Sequence, residues 1–169
     1  MESKSLNMAI RWANLRRVLE EFGDYFVKPY RHHLEEGGIN ACGNLSKSLQ
    51  YTIKSGATFL AVDVSLLEYW KKIEYGQKPL ENKLNGDFIT RIEDWITVKK
   101  IVPYASNGRV PSIHELAYLI ARKIVNFGTQ PRPIFATSLD EAVAEFEEAI
   151  EEAVTQDIAE VVDIELLTL

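Results

Sequence analysis

The chain has 169 residues, 46% of them hydrophobic and 10% aromatic, with 25 acidic side chains against 19 basic ones and a net charge of −6. That size and composition suit one globular domain able to bury a core without covalent staples. The lone cysteine, Cys42, excludes an internal disulfide, no stretch approaches the ~20 consecutive apolar residues of a membrane span, and MESKSLNMAIRWANLRR lacks the apolar run of a signal peptide, so the chain reads as soluble and intracellular.

In chain order, a first helix is expected from about Ser5 to Phe26, because Leu15, Val18, Leu19, Phe22 and Phe26 recur at helical spacing on one stripe. Gly23 weakens it late, and Pro29 is expected to end or kink it. Tyr30 to Glu36 suit a short further helical piece before Gly37 and Gly38 break the chain. Residues 49–65 read as a β-hairpin that reverses at Gly56. Tyr51 and Ile53 lie on one strand face, with either Phe59 and Ala61 or Leu60, Val62 and Val64 opposite. A lone two-stranded hairpin is marginal in water, so its sheet is expected to be extended by another segment or by a neighbouring subunit. A short helical or irregular stretch from Leu66 to Tyr75 and a loop over 77–86 follow.

Asp87 is positioned to cap a helix from about Phe88 to Lys100, with Phe88, Ile92, Trp95 and Ile96 on one face. After a loop over 102–111, Ser112 and Glu115 have the spacing of a capping box. They open a helix that carries Ile113, Leu116, Ala117, Ile120 and Ile124 on one face. Ser138 and Glu141 repeat that spacing before a helix whose stripe is Leu139, Val143, Phe146 and Ile150. The final IAEVVDIELLTL suits either a continuation of that helix or a terminal strand. The fold class is therefore α+β: several helices around a small antiparallel sheet, with a long acidic C-terminal helix. Residues 1–155 read as one domain and 156–169 as a C-terminal extension.

Residues 140–169 carry eleven acidic side chains and no Lys or Arg, so all 19 basic residues lie in 1–139, against 14 acidic ones. Such a segment suits a docking surface or a face that repels nucleic acid. The plainest reading is the solvated side of an amphipathic helix.

No catalytic, cofactor or metal residues emerge. His32 and His33 are adjacent, so on a helix they diverge and make a poor metal pair, even with Cys42 near them in sequence. No pair of carboxylates stands out from the solvent face as an acid and a base. No phosphate loop, dinucleotide fingerprint, nucleophile elbow or zinc-protease motif occurs. The basic residues are dispersed and the pI is near 5.2, which argues against a dedicated nucleic-acid binder.

One local pattern occurs twice. YWKKIEYGQKP (69–79) and YLIARKIVNFGTQPRP (118–133) each hold a Lys-Ile pair, Lys72-Ile73 and Lys123-Ile124. Each then has an aromatic residue followed at once by glycine, Tyr75-Gly76 and Phe127-Gly128, and a proline three residues later, Pro79 and Pro131. Glycine ends a helix without a Cβ penalty and proline prevents it from resuming, so the pattern marks two chain exits.

The order of these segments resembles the neck proteins of tailed bacteriophages, the small head–tail connector or tail-completion family, including forms common in phages of gut Bacteroidetes. The resemblance spans about residues 10–155. It is carried by Gly43-Asn44-Leu45, Tyr69-Trp70, Glu74-Tyr75-Gly76, Trp95-Ile96, Ala121-Arg122-Lys123-Ile124 and Gly128-Thr129-x-Pro131-Arg132-Pro133. It implies a non-enzymatic virion protein, present in the host cytoplasm during assembly, that forms a ring of six or twelve copies between portal and tail. The ring would complete and seal the head–tail junction, contact portal or adaptor and tail proteins, and let DNA pass without specific binding or any membrane. It also implies subunit contacts at Tyr69, Trp70, Tyr75, Gly76, Phe127, Gly128, Pro131, Arg132 and Pro133. Two other classes stand beside it: a monomeric or dimeric intracellular adaptor, and a small hydrolase using His32, His33 or Cys42.

Overall fold

The computed structural model describes residues 12–39, 43–56, 59–80, 84–104 and 108–167, with the side chains of 163–167 left aside. Its elements are α1 (Ala13–Glu36), α2 (Asn44–Ser48), β1 (Gln50–Ser55), β2 (Leu60–Ser65), α3 (Trp70–Glu74), α4 (Gly86–Val98), α5 (Ile113–Phe127) and α6 (Ile134–Leu167). The fold is α+β, helices with a small antiparallel sheet. The chain divides into two compact units. Of the described residues, the first holds 12–32, 48–56, 59–66 and 136–167, and the second 33–39, 43–47, 67–80, 84–104 and 108–135. Cys42 and the helix start expected near Ser5 lie outside the described residues.

In the first unit, α1 buries Val18, Phe22, Phe26 and Tyr30. Phe146 of α6 meets Phe22 and Tyr25 edge-on, at 5.8 and 5.5 Å between ring centroids. Pro29 does not end α1, which runs through it to Glu36 and closes over Gly37, whose N–H donates to the His33 carbonyl. Burial overrides the lost backbone donor. Phe26 and Tyr30 on either side of the proline are stacked at 5.9 Å and almost wholly buried.

The hairpin forms as expected, with Tyr51 opposite Val64 and Ile53 opposite Val62. Leu60, Val62 and Val64 are the more covered face of β2, which decides between the two alternatives. No third strand of this chain joins the sheet among the described residues. Helix α1 supplies the support instead. The Tyr51 ring lies on Gly23, where any Cβ would collide with it, and the Tyr51 hydroxyl lies 2.7 Å from Asp24 Oδ1 and 3.1 Å from the Glu20 carbonyl. Desolvation, then the bond to Asp24, push the phenol up to about 12. Gly23 is thus a seat for an aromatic ring, not merely a weak point in α1.

Helix α6 differs from the sequence expectation at its start. It begins at Ile134, so Ser138 is a buried residue inside the helix and not an N-cap. Ser-x-x-Glu is a permissive signal, and no breaker separates Ile134 from Ser138. The helix then continues to Leu167, passing residues 155 and 156 without interruption, so the C-terminal segment up to Leu167 is helix despite Val161, Val162 and Ile164.

Asp157, one of the eleven C-terminal acids, is 1% exposed and does not belong to a solvated face. Its Oδ1 accepts from the Asn14 N–H at 3.0 Å and from Asn14 Nδ2 at 2.9 Å, and its Oδ2 accepts from the Leu15 N–H at 2.9 Å. Helix α1 has no acid in its own first turn. The carboxylate that satisfies its orphan N–H groups and its positive dipole end comes from 143 residues away.

Candidate functional site

The second unit brings the two repeated exits together. Helix α3 ends at Glu74 and α5 at Phe127, and Gly76 and Gly128 follow with φ of 69° and 73°. The residues after them pair. Gln77 N–H donates to the Thr129 carbonyl at 3.1 Å, and Thr129 N–H donates to the Gln77 carbonyl at 2.8 Å, an isolated antiparallel bridge. A Cβ on Gly128 would fall onto the Gln77 carbonyl oxygen, and one on Gly76 onto that of Thr129. Both glycines are therefore required twice, for the positive φ and for the close approach of two backbones.

Further bonds knit the exits. Leu80 N–H donates to the Val125 carbonyl, and Arg132 N–H to that of Ile73, at 2.9 and 2.8 Å. Arg132 Nη1 donates to the Gly37 carbonyl at 3.0 Å. Trp70 packs on Phe135 at 5.0 Å and Tyr75 at 6.2 Å. Glu74, only 6% exposed, accepts from the Phe135 N–H at 2.8 Å. It therefore serves the start of α6 as Asp157 serves α1.

Helices α4 and α5 form the neighbouring wall. Helix α4 begins at Gly86 and ends at Val98, and its N-cap is Asn85, not Asp87, which sits in the first turn; Asn85 Oδ1 accepts from the Phe88 N–H at 2.8 Å. Ile96 is fully buried, while Trp95 stays partly exposed. The α5 capping box is formed as expected, with Ser112 Oγ accepting from the Glu115 N–H at 3.1 Å and Glu115 Oε2 accepting from the Ser112 N–H at 2.8 Å. The Ser112 N–H first, then the nearby Arg109, hold the Glu115 carboxyl below its ordinary range. Of the expected α5 stripe Ala117 is buried and Ile113 is exposed, and Ala121, which the stripe did not include, is buried as well. His114 of α5 contacts Glu93 of α4.

Between these elements lies an open groove of about 820 Å³. Tyr69, Trp95 and Phe127 line it with Ile73, Ile120 and Ile124, and Lys72, Lys123 and Arg132 add positive charge. Both Lys-Ile pairs of the repeated pattern face this one groove. Tyr75 and Phe127 are 71% and 74% exposed at the two exits. Of the residues singled out in sequence, Tyr69, Phe127, Gly128 and Arg132 line the groove. Trp70, Tyr75 and Gly76 belong to the framework beside it, and Pro131 and Pro133 are exposed in the irregular stretch between α5 and α6. Sequence reasoning missed Glu74 as a remote helix cap; an acid next to an aromatic-glycine exit was the available signal.

Among the described residues, no group of three or more His, Cys, Asp or Glu side chains could hold a metal ion, and no helix is long and apolar enough to cross a membrane. The chain matches no protein-family model, no curated protein and no solved structure.

Proposed function

We propose that this chain is a structural component of the tailed-bacteriophage neck, a ring subunit between portal and tail that completes and seals the junction around the DNA channel. The observation that carries the reading is the apolar surface of the second unit. Tyr69, Tyr75, Tyr104, Tyr118, Leu119 and Phe127 are all exposed there, beside a groove built from the two paired exits. Exposed aromatic and aliphatic surface of this extent marks association. A ring needs heterologous contacts, in which two different patches of each copy meet.

The reading is tested with gold-labelled antibody against the chain on purified phage particles, viewed by electron microscopy. Label at the head–tail junction is expected. Intact and disrupted particles that both lack label would exclude a virion protein and favour an intracellular adaptor.

A further inference from the structure

The groove of the second unit and the outer face of α6 have complementary chemistry. The groove carries exposed Lys72 and Lys123 beside Tyr69, Trp95 and Phe127. On α6, Glu147, Glu151, Ile158 and Val162 fall at i, i+4, i+11 and i+15, which places them on one side of the helix. All four are exposed. The strip thus has an acidic half and an apolar half about two turns apart, and residues 140–169 contain no Lys or Arg to oppose a cationic partner.

We propose that the groove receives the Glu147–Val162 face of α6 from a second copy of this chain. Lys72 and Lys123 meet Glu147 and Glu151, and Ile158 and Val162 cover the aromatic wall. The contact joins two different surfaces, so each copy offers a groove to one neighbour and a helix to the next. It rests on the ring-subunit reading and names the contact that would propagate the ring. Nucleic acid is the other conceivable occupant of a cationic, aromatic groove. The second copy is favoured because this chain itself supplies an acidic-apolar strip of matching chemistry.

The test is a charge swap followed by sedimentation equilibrium and native mass spectrometry. Wild type is expected to self-associate, less so at high salt. Each double variant, K72E/K123E and E147K/E151K, places like charges on both surfaces and should weaken self-association roughly 100-fold. Mixing the two variants restores opposite charges at every contact, so assembly should return in the mixture alone. Circular dichroism checks that each variant is folded, and K72Q/K123Q replaces any that is not. Variants that assemble as wild type does would overturn this contact while leaving the ring reading standing. A wild-type chain monomeric at its highest soluble concentration would also overturn it, and the particle labelling then decides the ring reading separately. Binding of a fluorescent DNA duplex that K72E/K123E abolishes, with self-association unchanged, would assign the groove to nucleic acid instead.

Discussion

The two compact units solve the same problem, the orphan N–H groups of a helix start, with different use of remote and local caps. In the first unit, α1 borrows the buried carboxylate of Asp157. The second uses both means: α4 and α5 are capped by their own flanking residues, Asn85 and Ser112, while the start of α6 takes the buried carboxylate of Glu74. A local cap forms with its helix and keeps its surroundings free, whereas a remote cap ties two distant segments together and must be buried with them. The first unit closes α1 onto α6 through Phe22, Tyr25 and Phe146, while the second leaves a broad apolar surface beside an open groove. Exposed apolar side chains occur in both units, Ile158 and Val162 in the first and Tyr69, Tyr75 and Phe127 in the second.

The sharpest way to break the contrast of caps is Asp157→Ala. It strands the Asn14 and Leu15 N–H groups in a buried site and should cost about 3 kcal/mol. Chemical denaturation measures the loss, and a variant as stable as wild type would remove the remote cap from the account. Next is Gly128→Ala, which combines a positive φ with a collision against the Gln77 carbonyl and should cost about 2 kcal/mol. Hydrogen exchange should show the Gln77 and Thr129 amides losing protection while those of Asn14 and Leu15 keep theirs. Equal loss in both units would mean that they do not respond separately.

Ser112→Ala removes a local cap and should cost about 1 kcal/mol. The Glu115 carboxyl, held low in the folded chain, stabilises it above the ordinary carboxyl range, and that contribution fades as pH falls through the folded value. Ser112→Ala keeps the backbone N–H that does most of this, so an NMR titration of that variant should find the Glu115 carboxyl still below its ordinary range, whereas Arg109→Ala should move it part of the way back. The smallest effect belongs to Tyr51→Phe, about 0.5 kcal/mol for one partly exposed hydroxyl. Tyr51 holds its proton up to about 12 in the folded state, so its contribution is complete below 10, the ordinary phenol value, and is lost as pH rises toward 12. Ultraviolet titration of wild type should contain one late phenol ionisation that Tyr51→Phe deletes.

Local features were legible in advance wherever neighbours in sequence did the work. The α+β class, the hairpin at residues 49–65, the Ser112–Glu115 capping box and the two glycine exits all follow from short-range stereochemistry and apolar spacing. Partial errors arose where a local signal competed with burial. Pro29 did not stop α1, because Phe26 and Tyr30 bury the turns around it. Ser138 did not start α6, because the helix already runs from Ile134. The candidate site was half visible. The repeat disclosed two exits, but nothing in their spacing said that they would pair with each other or turn both lysines to one groove.

The sequence by itself therefore determined the hairpin, the long helices and the acidic bias of residues 140–169, but not α2 (Asn44–Ser48), the helical state of Trp70–Glu74 or that of the C-terminal segment. Only the tertiary structure decided which acid leaves that solvated face to cap α1, which glycine seats an aromatic ring, and that Gly76 and Gly128 bring Gln77 against Thr129. The physical reason is range. Helix propensity, caps and β-alternation act within a few residues, whereas a buried carboxylate or a two-residue bridge gains its energy from groups that sequence separation does not predict.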